Sequence, residues 1–205
     1  IFAPIGFCLA KTDIVGIRSR CLHYAFFEYR KKNIKNLKEK LTILFDKLML
    51  YDYNYLNSYY HKLINNKNDI FLKKKFLSSE DLKKLASHPL ITIASHSMSH
   101  VPLSLIPDKW LKWEISESCK YIEKYGGNNL FFSYPYGYKN SFNDNTKKIL
   151  KLYGINFAFT TIANITTCNS DSLELGRTLL FNFKNINYLM GVACGAFEYY
   201  DRILN

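Results

Sequence analysis

The sequence lacks several features that would assign it to a special class of protein. No apolar run approaches the roughly 18 residues of a membrane span, so the sequence predicts no transmembrane segment in this stretch. There is no collagen-like or disordered bias, no low-complexity tract and no internal repeat. With 205 residues, of which 48% are hydrophobic, the chain is long enough for one domain with a full core.

Close cysteine pairs are also absent. The five cysteines (Cys8, Cys21, Cys119, Cys168 and Cys194) are widely spaced, and none forms a CxxC motif. An odd, scattered set argues against a disulfide framework and favours a reducing compartment such as the cytoplasm. The first residue is Ile1, and no signal-like segment precedes it, so we expect this chain to be part of a longer protein.

The excess of positive charge names no partner by itself. The formal net charge is +11, mostly from lysine, which would attract anionic polymers in general. No RNP-like combination of basic and aromatic residues occurs, so we do not expect nucleic-acid binding. A protein that binds anionic polymers remains one alternative.

Alternating strand and helix signals predict an α/β fold. Helix-like and strand-like segments alternate after residue 76, as in βαβ units with parallel strands. Residues 11–75 form a Lys- and Tyr-rich helical insertion, in which Leu41, Leu44, Phe45 and Leu48 make one apolar stripe. The predicted strands are 1–7, 90–95, 129–137, 155–161 and the extended segment 172–183; the predicted helices are 77–88, 107–127, 143–154 and 185–204.

Two short motifs follow predicted strands. "HSMSH" places His96 and His100 just after the strand 90–95, and "YPYG" spans Tyr134 to Gly137 at the end of the next strand. Ligands of parallel α/β folds bind at the carboxyl ends of the strands, so both motifs should meet on one face. A bare HxxxH is common, but this placement favours a metal site for the two imidazoles.

These motifs and their surroundings resemble the polysaccharide deacetylase family, also called NodB-homology or carbohydrate esterase family 4. "HSMSH" resembles its metal-binding motif, "FSYPYG" its third motif, "IFAPIGF" the strand after its first motif, and "LELGRTLL" a late Arg-containing strand. The likeness covers residues 1–10 and about 76–181. It implies a single domain over 1–205, a deformed (β/α) barrel that lacks its first strand here, with 11–75 as a helical insertion.

The resemblance also implies an activity and roles for residues. It implies a metal-dependent hydrolase that removes N-acetyl groups from amino sugars of a cell-surface polysaccharide or its precursor. His96 and His100 would bind a divalent metal, zinc first, with cobalt or nickel as alternatives. In catalysis, the Tyr136 N–H would stabilise the oxyanion, Pro135 would set the turn, and Arg177 would orient a general base. Tyr134 and Gly137 would contact the substrate.

The chain also departs from the family pattern. The family's first motif, T-F-D-D-G, supplies a metal ligand and a general base, but this chain has no Asp-Asp pair. No histidine follows His100, so the family's late general-acid histidine is missing as well. We therefore predict that this chain alone is inactive. A non-catalytic glycan-binding relative stays open, as do aromatic packing for Tyr134 and Tyr136 and a strand-capping or surface role for Arg177.

Overall fold

The computed structural model describes residues 14–63, 77–178 and 186–195. Within these ranges the chain alternates helices with short parallel strands after residue 77, as predicted. The helices are α1 (Ile14–Lys31), α2 (Leu37–Leu50), α3 (Tyr53–Leu63), α4 (Ser79–Ala86), α5 (Asp108–Lys124), α6 (Asp144–Leu152) and α7 (Ile186–Ala193), with a 3₁₀ turn at Leu103–Leu105; the strands are β1 (Phe131–Ser133) and β2 (Phe157–Phe159). The predicted strand 1–7 and parts of 11–75, 172–183 and 185–204 lie outside the described residues.

The strands are parallel and follow chain order. β1 pairs with β2, with Phe132 opposite Ala158. Single parallel bridges join Ser95 to Phe132 on one side and Phe159 to Leu175 on the other. Four successive segments thus run side by side in the same direction, and α5 and α6 connect the first three. This arrangement confirms the α/β order, although the described residues do not form a closed barrel.

The regular strands are shorter than the sequence predicted. β1 covers three residues of the predicted 129–137, and the segment 90–95 contributes only the bridge at Ser95. β1 ends where it does because Pro135 has no N–H to donate, and because Tyr136 and Gly137 have φ angles of 63° and 68°. These positive angles turn the chain out of the extended conformation that a ladder requires.

The helices begin and end at the residues that their sequences indicate. In α4, Ser78 caps the helix by accepting from the Asp81 N–H, and the Asp81 carboxylate accepts from the Ser78 N–H in return. α5 starts directly after Pro107 and ends before Gly126, whose φ is 78°. The apolar stripe predicted in 41–48 is buried on α2, which confirms that prediction.

The helices of the 11–75 segment share one hydrophobic core with the strands. Phe45 of α2 stacks on Trp110 of α5, with ring centroids 5.8 Å apart. The Trp110 Nε1–H donates to the Asp46 carboxylate at 3.0 Å. Phe26 of α1 packs against Tyr136, beyond the end of β1. The described part of this segment is therefore packed onto the domain, next to the strand ends.

Two further features are the lack of a membrane-spanning helix in the described ranges and the free cysteines. None of the helices in those ranges is long and apolar enough to cross a membrane. Cys21, Cys119, Cys168 and Cys194 are free thiols, and burial raises the pKa of Cys21 to about 12. A thiol with so high a pKa is a poor nucleophile at neutral pH.

Candidate active site

The two predicted metal ligands lie side by side beyond the Ser95 bridge. The ring centroids of His96 and His100 are 4.9 Å apart, and the rings are nearly perpendicular. His96 is buried and His100 is partly buried. The sequence placed both residues at a strand end, and the structure brings their rings together there.

A backbone carbonyl fixes the orientation of His96. The His96 Nδ1 lies 2.6 Å from the carbonyl oxygen of Ser133, the last residue of β1. Because a carbonyl can only accept, Nδ1 carries the proton and Nε2 keeps its lone pair. Metal-binding histidines commonly hold their second ring nitrogen in this way. His96 is therefore prepared to act as an Nε2 ligand.

His100 occupies a strained position with an unpaired ring nitrogen. Its φ is 54°, in the left-handed region that non-glycine residues seldom adopt, and Ser97 has a φ of 60°. The His100 N–H donates to the Ser97 hydroxyl at 3.2 Å. Within the described ranges the buried His100 Nδ1 has no hydrogen-bond partner. Strained backbone and an unpaired buried nitrogen are both typical of functional positions.

Burial keeps both imidazoles in the neutral form. It lowers the pKa of His96 to about 4, and nearby His100 and Arg177 lower it further against the effect of the Ser133 hydrogen bond. Burial also lowers the pKa of His100. Neutral imidazole is the form that binds metal ions, so neither ring needs to lose a proton at neutral pH.

A buried carboxylate from α5 holds the segment between the histidines. Glu114 is fully buried and accepts from the N–H groups of Met98, at 2.8 Å, and Ser99, at 3.0 Å. It also accepts from the Ser99 hydroxyl. Burial raises the pKa of Glu114, while these hydrogen bonds oppose the shift. Glu114 is not among the residues predicted from the sequence, although its place between Leu111 and Ile115 in a predicted helix was a usable signal.

A histidine from α1 reaches the same segment from the other side. The His23 Nδ1 lies 3.1 Å from the Ser99 carbonyl oxygen, and its ring centroid is 5.8 Å from that of His100. Burial lowers the pKa of His23 to about 4. His23 lies within 11–75, the segment predicted as an insertion, and nothing in the sequence around it indicates that α1 packs here.

The turn after β1 brings Tyr136 to the histidines. The Tyr136 and His100 ring centroids are 4.8 Å apart. The phenol oxygen of Tyr136 is buried and, among the described residues, has no hydrogen-bond partner; burial raises its pKa to about 12. Gly137 allows the turn, since a Cβ there would lie 2.6 Å from the Thr161 nitrogen. Pro135 precedes the two positive-φ residues, as the predicted turn requires.

The side chain of Tyr134 lies in the core instead. It is fully buried, stacks on Phe142 with centroids 4.0 Å apart, and donates its hydroxyl to the Leu173 carbonyl at 2.8 Å. The ring has no exposed surface, which favours the aromatic-packing alternative for this residue. The expected contact of Tyr134 with a substrate stays a prediction.

Arg177 follows the fourth parallel segment, near His96. Its Nε–H donates to the Thr160 carbonyl, and its backbone N–H donates to Ile162. Its positive charge contributes to the low pKa of His96. His96, His100 and Tyr136 thus lie together beyond the strand ends, whereas the Tyr134 side chain lies in the core.

Comparison with known proteins identifies the family. The sequence profile described as polysaccharide deacetylase matches residues 35–158, more than half of the chain. The chain belongs to the polysaccharide deacetylase family. The match includes both motifs and begins at residue 35, within the segment predicted as an insertion.

The solved structure of IcaB from Ammonifex degensii is similar to the chain, with a TM-score of 0.47 and 21% sequence identity. The similarity covers 58% of this chain and 53% of that one, so the chain spans about half the length of IcaB. No curated protein sequence matches the chain.

The site residues fit part of the metal site that the deacetylase family implies. His96 and His100 offer two neutral imidazoles. The His96 Nδ1 is held by the Ser133 carbonyl, and the buried His100 Nδ1 has no hydrogen-bond partner in the described ranges. Within those ranges, no three His, Cys, Asp or Glu side chains are placed to hold a metal ion together. Catalytic zinc sites use three protein ligands, so the two imidazoles match only part of such a ligand set.

Proposed function

We propose that the protein containing this chain removes N-acetyl groups from amino sugars of a cell-surface polysaccharide or its precursor. Membership of the polysaccharide deacetylase family supports this class of reaction. The observation that carries the proposal is the convergence of His96, His100 and Tyr136 at the ends of two parallel segments. Each of these residues matches the family motif that the sequence indicated.

A divalent metal, zinc first and cobalt or nickel as alternatives, would be held by His96 and His100. When bound, such an ion supplies an activated water molecule and polarises the acetyl carbonyl. The resemblance assigns the third ligand to the Asp of a T-F-D-D-G motif, which is not in this sequence. The hydrogen bond from His96 to Ser133 and the neutral state of both rings support this role.

The remaining predicted site residues would stabilise charge or shape the site. We assign to the Tyr136 N–H the stabilisation of negative charge that develops on the acetyl oxygen. Among the described residues this N–H makes no backbone hydrogen bond, so it is not already committed to the fold. Pro135 sets the turn, Gly137 permits it because Thr161 occupies the place of a Cβ, and we assign to Gly137 a contact with the substrate. Arg177 would orient the general-base carboxylate that the resemblance places upstream.

We further propose that the domain closes as a deformed (β/α) barrel over 1–205, with 11–75 inserted and the first strand supplied by sequence upstream. The four parallel segments in chain order support this architecture. By the same proposal, residues 1–205 alone are inactive, because they hold neither the general base nor the third ligand.

Acetate release from N-acetylglucosamine oligomers by the full-length protein tests the proposed function. We expect release that stops with a chelator and returns with Zn²⁺ or Co²⁺. Binding of the oligomers without any release would favour the non-catalytic glycan-binding alternative. Binding of acidic polymers but not of these oligomers would favour the anionic-polymer alternative and contradict the proposal.

A further inference from the structure

Glu114 is an acidic side chain in an unusual environment. It is fully buried on α5, although glutamate is seldom fully buried unless it is paired. Every hydrogen-bond partner named above for its carboxylate belongs to the segment 96–100. One oxygen accepts from the Met98 and Ser99 N–H groups, and the other accepts from the Ser99 hydroxyl. Both oxygens are thus committed to the protein, which excludes them as ready metal ligands.

The segment 96–100, which Glu114 contacts, has a strained backbone that requires stabilising contacts. Ser97 and His100 both have positive φ angles, at 60° and 54°. Non-glycine residues remain in such conformations only where their surroundings over-determine them. The two N–H groups that Glu114 accepts lie between these strained residues. Without an acceptor, both donors would be buried and unpaired.

Among the described residues, the other hydrogen bonds of this segment do not involve the Met98 and Ser99 N–H groups. The His23 ring holds the Ser99 carbonyl, and the Ser95 hydroxyl donates to the Ser118 hydroxyl at 2.6 Å. These two bonds fix the Ser99 carbonyl and the Ser95 side chain at the strand end. In the described part of the chain, Glu114 accepts from the N–H groups of Met98 and Ser99, which lie between the two histidines.

We propose that Glu114 is a positioning residue that fixes how His96 and His100 stand relative to each other as metal ligands. This inference rests on the proposed function. Groups that orient metal ligands without touching the metal typically contribute about 10- to 100-fold to metal affinity or activity. Glu114 acts through the backbone between the ligands rather than through a ligand's ring.

The test compares Glu114→Leu with Glu117→Leu in the full-length protein. Leucine occupies a similar volume but has no oxygen, so the Met98 and Ser99 N–H groups lose their acceptor. Glu117 lies on the same helix and pairs with Lys120 at 2.6 Å, away from the histidines, which makes it a matched control. Two properties are measured: amide hydrogen exchange at Met98 and Ser99, and Co²⁺ binding followed by the visible absorption of the bound ion.

We expect Glu114→Leu to lose exchange protection at Met98 and Ser99, to bind Co²⁺ about 10- to 100-fold more weakly and to change the Co²⁺ absorption. Glu117→Leu should match the wild type. A Glu114→Leu protein with wild-type Co²⁺ affinity and absorption would overturn the positioning role, even if it unfolds more easily in urea.

Two further outcomes are separable. If Glu114→Leu does not fold, Ser99→Ala decides, since it removes only the hydroxyl bond. Weaker Co²⁺ binding by a smaller factor supports the proposal, and unchanged binding contradicts it. A wild-type protein that binds no Co²⁺ would contradict the proposed function itself, whereas binding that survives Glu114→Leu would contradict only the positioning role.

Discussion

At the scale of single residues, Tyr134 and Tyr136 stand two positions apart in opposite surroundings. The Tyr134 hydroxyl donates to a buried carbonyl, whereas the buried Tyr136 hydroxyl has no partner in the described ranges. Losing a buried hydrogen bond that leaves its acceptor unpaired costs about 1–3 kcal/mol, but losing an unpaired hydroxyl costs nothing of that kind. The two hydroxyls therefore have separate roles that substitution can distinguish.

We expect Tyr136→Phe to keep both turnover and stability close to those of the wild type, because its proposed contribution comes from the backbone N–H. Tyr134→Phe should lower the free energy of unfolding by about 1–3 kcal/mol. Urea unfolding and acetate release by the full-length variants measure these effects. A large loss of turnover in Tyr136→Phe would instead indicate that the phenol donates a proton.

Arg177 allows a kinetic prediction. Its charge lies close enough to His96 to lower the pKa of that ring, and we propose that it orients the general base. An interaction that matters mainly in the transition state affects kcat more than KM. We expect Arg177→Ala to lower kcat by about 10- to 100-fold with a smaller change in KM. Arg177→Lys, which keeps the charge, should be less impaired.

Steady-state kinetics on N-acetylated oligomers would check the Arg177 prediction. A raised KM with unchanged kcat in Arg177→Ala would contradict it and point to plain substrate binding. Unchanged kinetics would favour the strand-capping alternative that the sequence left open.

At the scale of elements, α1 forms one wall of the candidate active site. Phe26 packs under the Tyr136 ring, with centroids 5.9 Å apart, and His23 holds the Ser99 carbonyl. The neighbouring Phe27 is 45% exposed, whereas Phe26 is 1% exposed. Adjacent phenylalanines on one helix thus provide a matched pair for testing whether α1 supports the site.

We expect Phe26→Ala to lower the free energy of unfolding by about 3–5 kcal/mol, because it opens a cavity beneath Tyr136. It should also reduce turnover, since the turn that carries Tyr136 loses its support. Phe27→Ala should cost much less, as is usual for exposed positions. Urea unfolding and acetate release give both quantities. Equal losses for the two variants would contradict the packing of α1 on the site.

The elements also show what the sequence could and could not predict. His96, His100 and Tyr136 follow short apolar segments, and parallel strands bring their carboxyl ends to one edge. His23 was not predictable, because its bond to Ser99 spans 76 positions and depends on how α1 docks. The predicted strand lengths were too long for a related reason. Strand pairing depends on neighbouring segments that are distant in sequence, and single bridges stand where longer ladders were expected.

At the scale of the whole molecule, buried neutral histidines link stability to pH. Burial lowers the pKa of His23 and His96 from 6.5 to about 4. Between these values the unfolded chain takes up protons that the folded protein does not. The free energy of unfolding should therefore fall as the pH falls from 6.5 to about 4. A tenfold change in an ionisation constant corresponds to about 1.4 kcal/mol, so the effect should be measurable.

Urea unfolding across this range checks the pH prediction. Burial raises the pKa of Glu114, which acts in the opposite direction, so a His23→Gln variant is needed to isolate the histidine. This variant should lose less stability on acidification than the wild type. His61→Gln, at an exposed position, should follow the wild type. Equal acid sensitivity of His23→Gln and the wild type would contradict the prediction.

We propose that His96 and His100 hold the metal ion on which the deacetylation depends. Calorimetric titration of the full-length protein with Zn²⁺ tests this role, with His88→Ala as a control because His88 is exposed. We expect one tight site in the wild type and in His88→Ala, and strongly weakened binding in His96→Ala and His100→Ala. Tight binding that is unchanged in His96→Ala or His100→Ala would contradict the proposal.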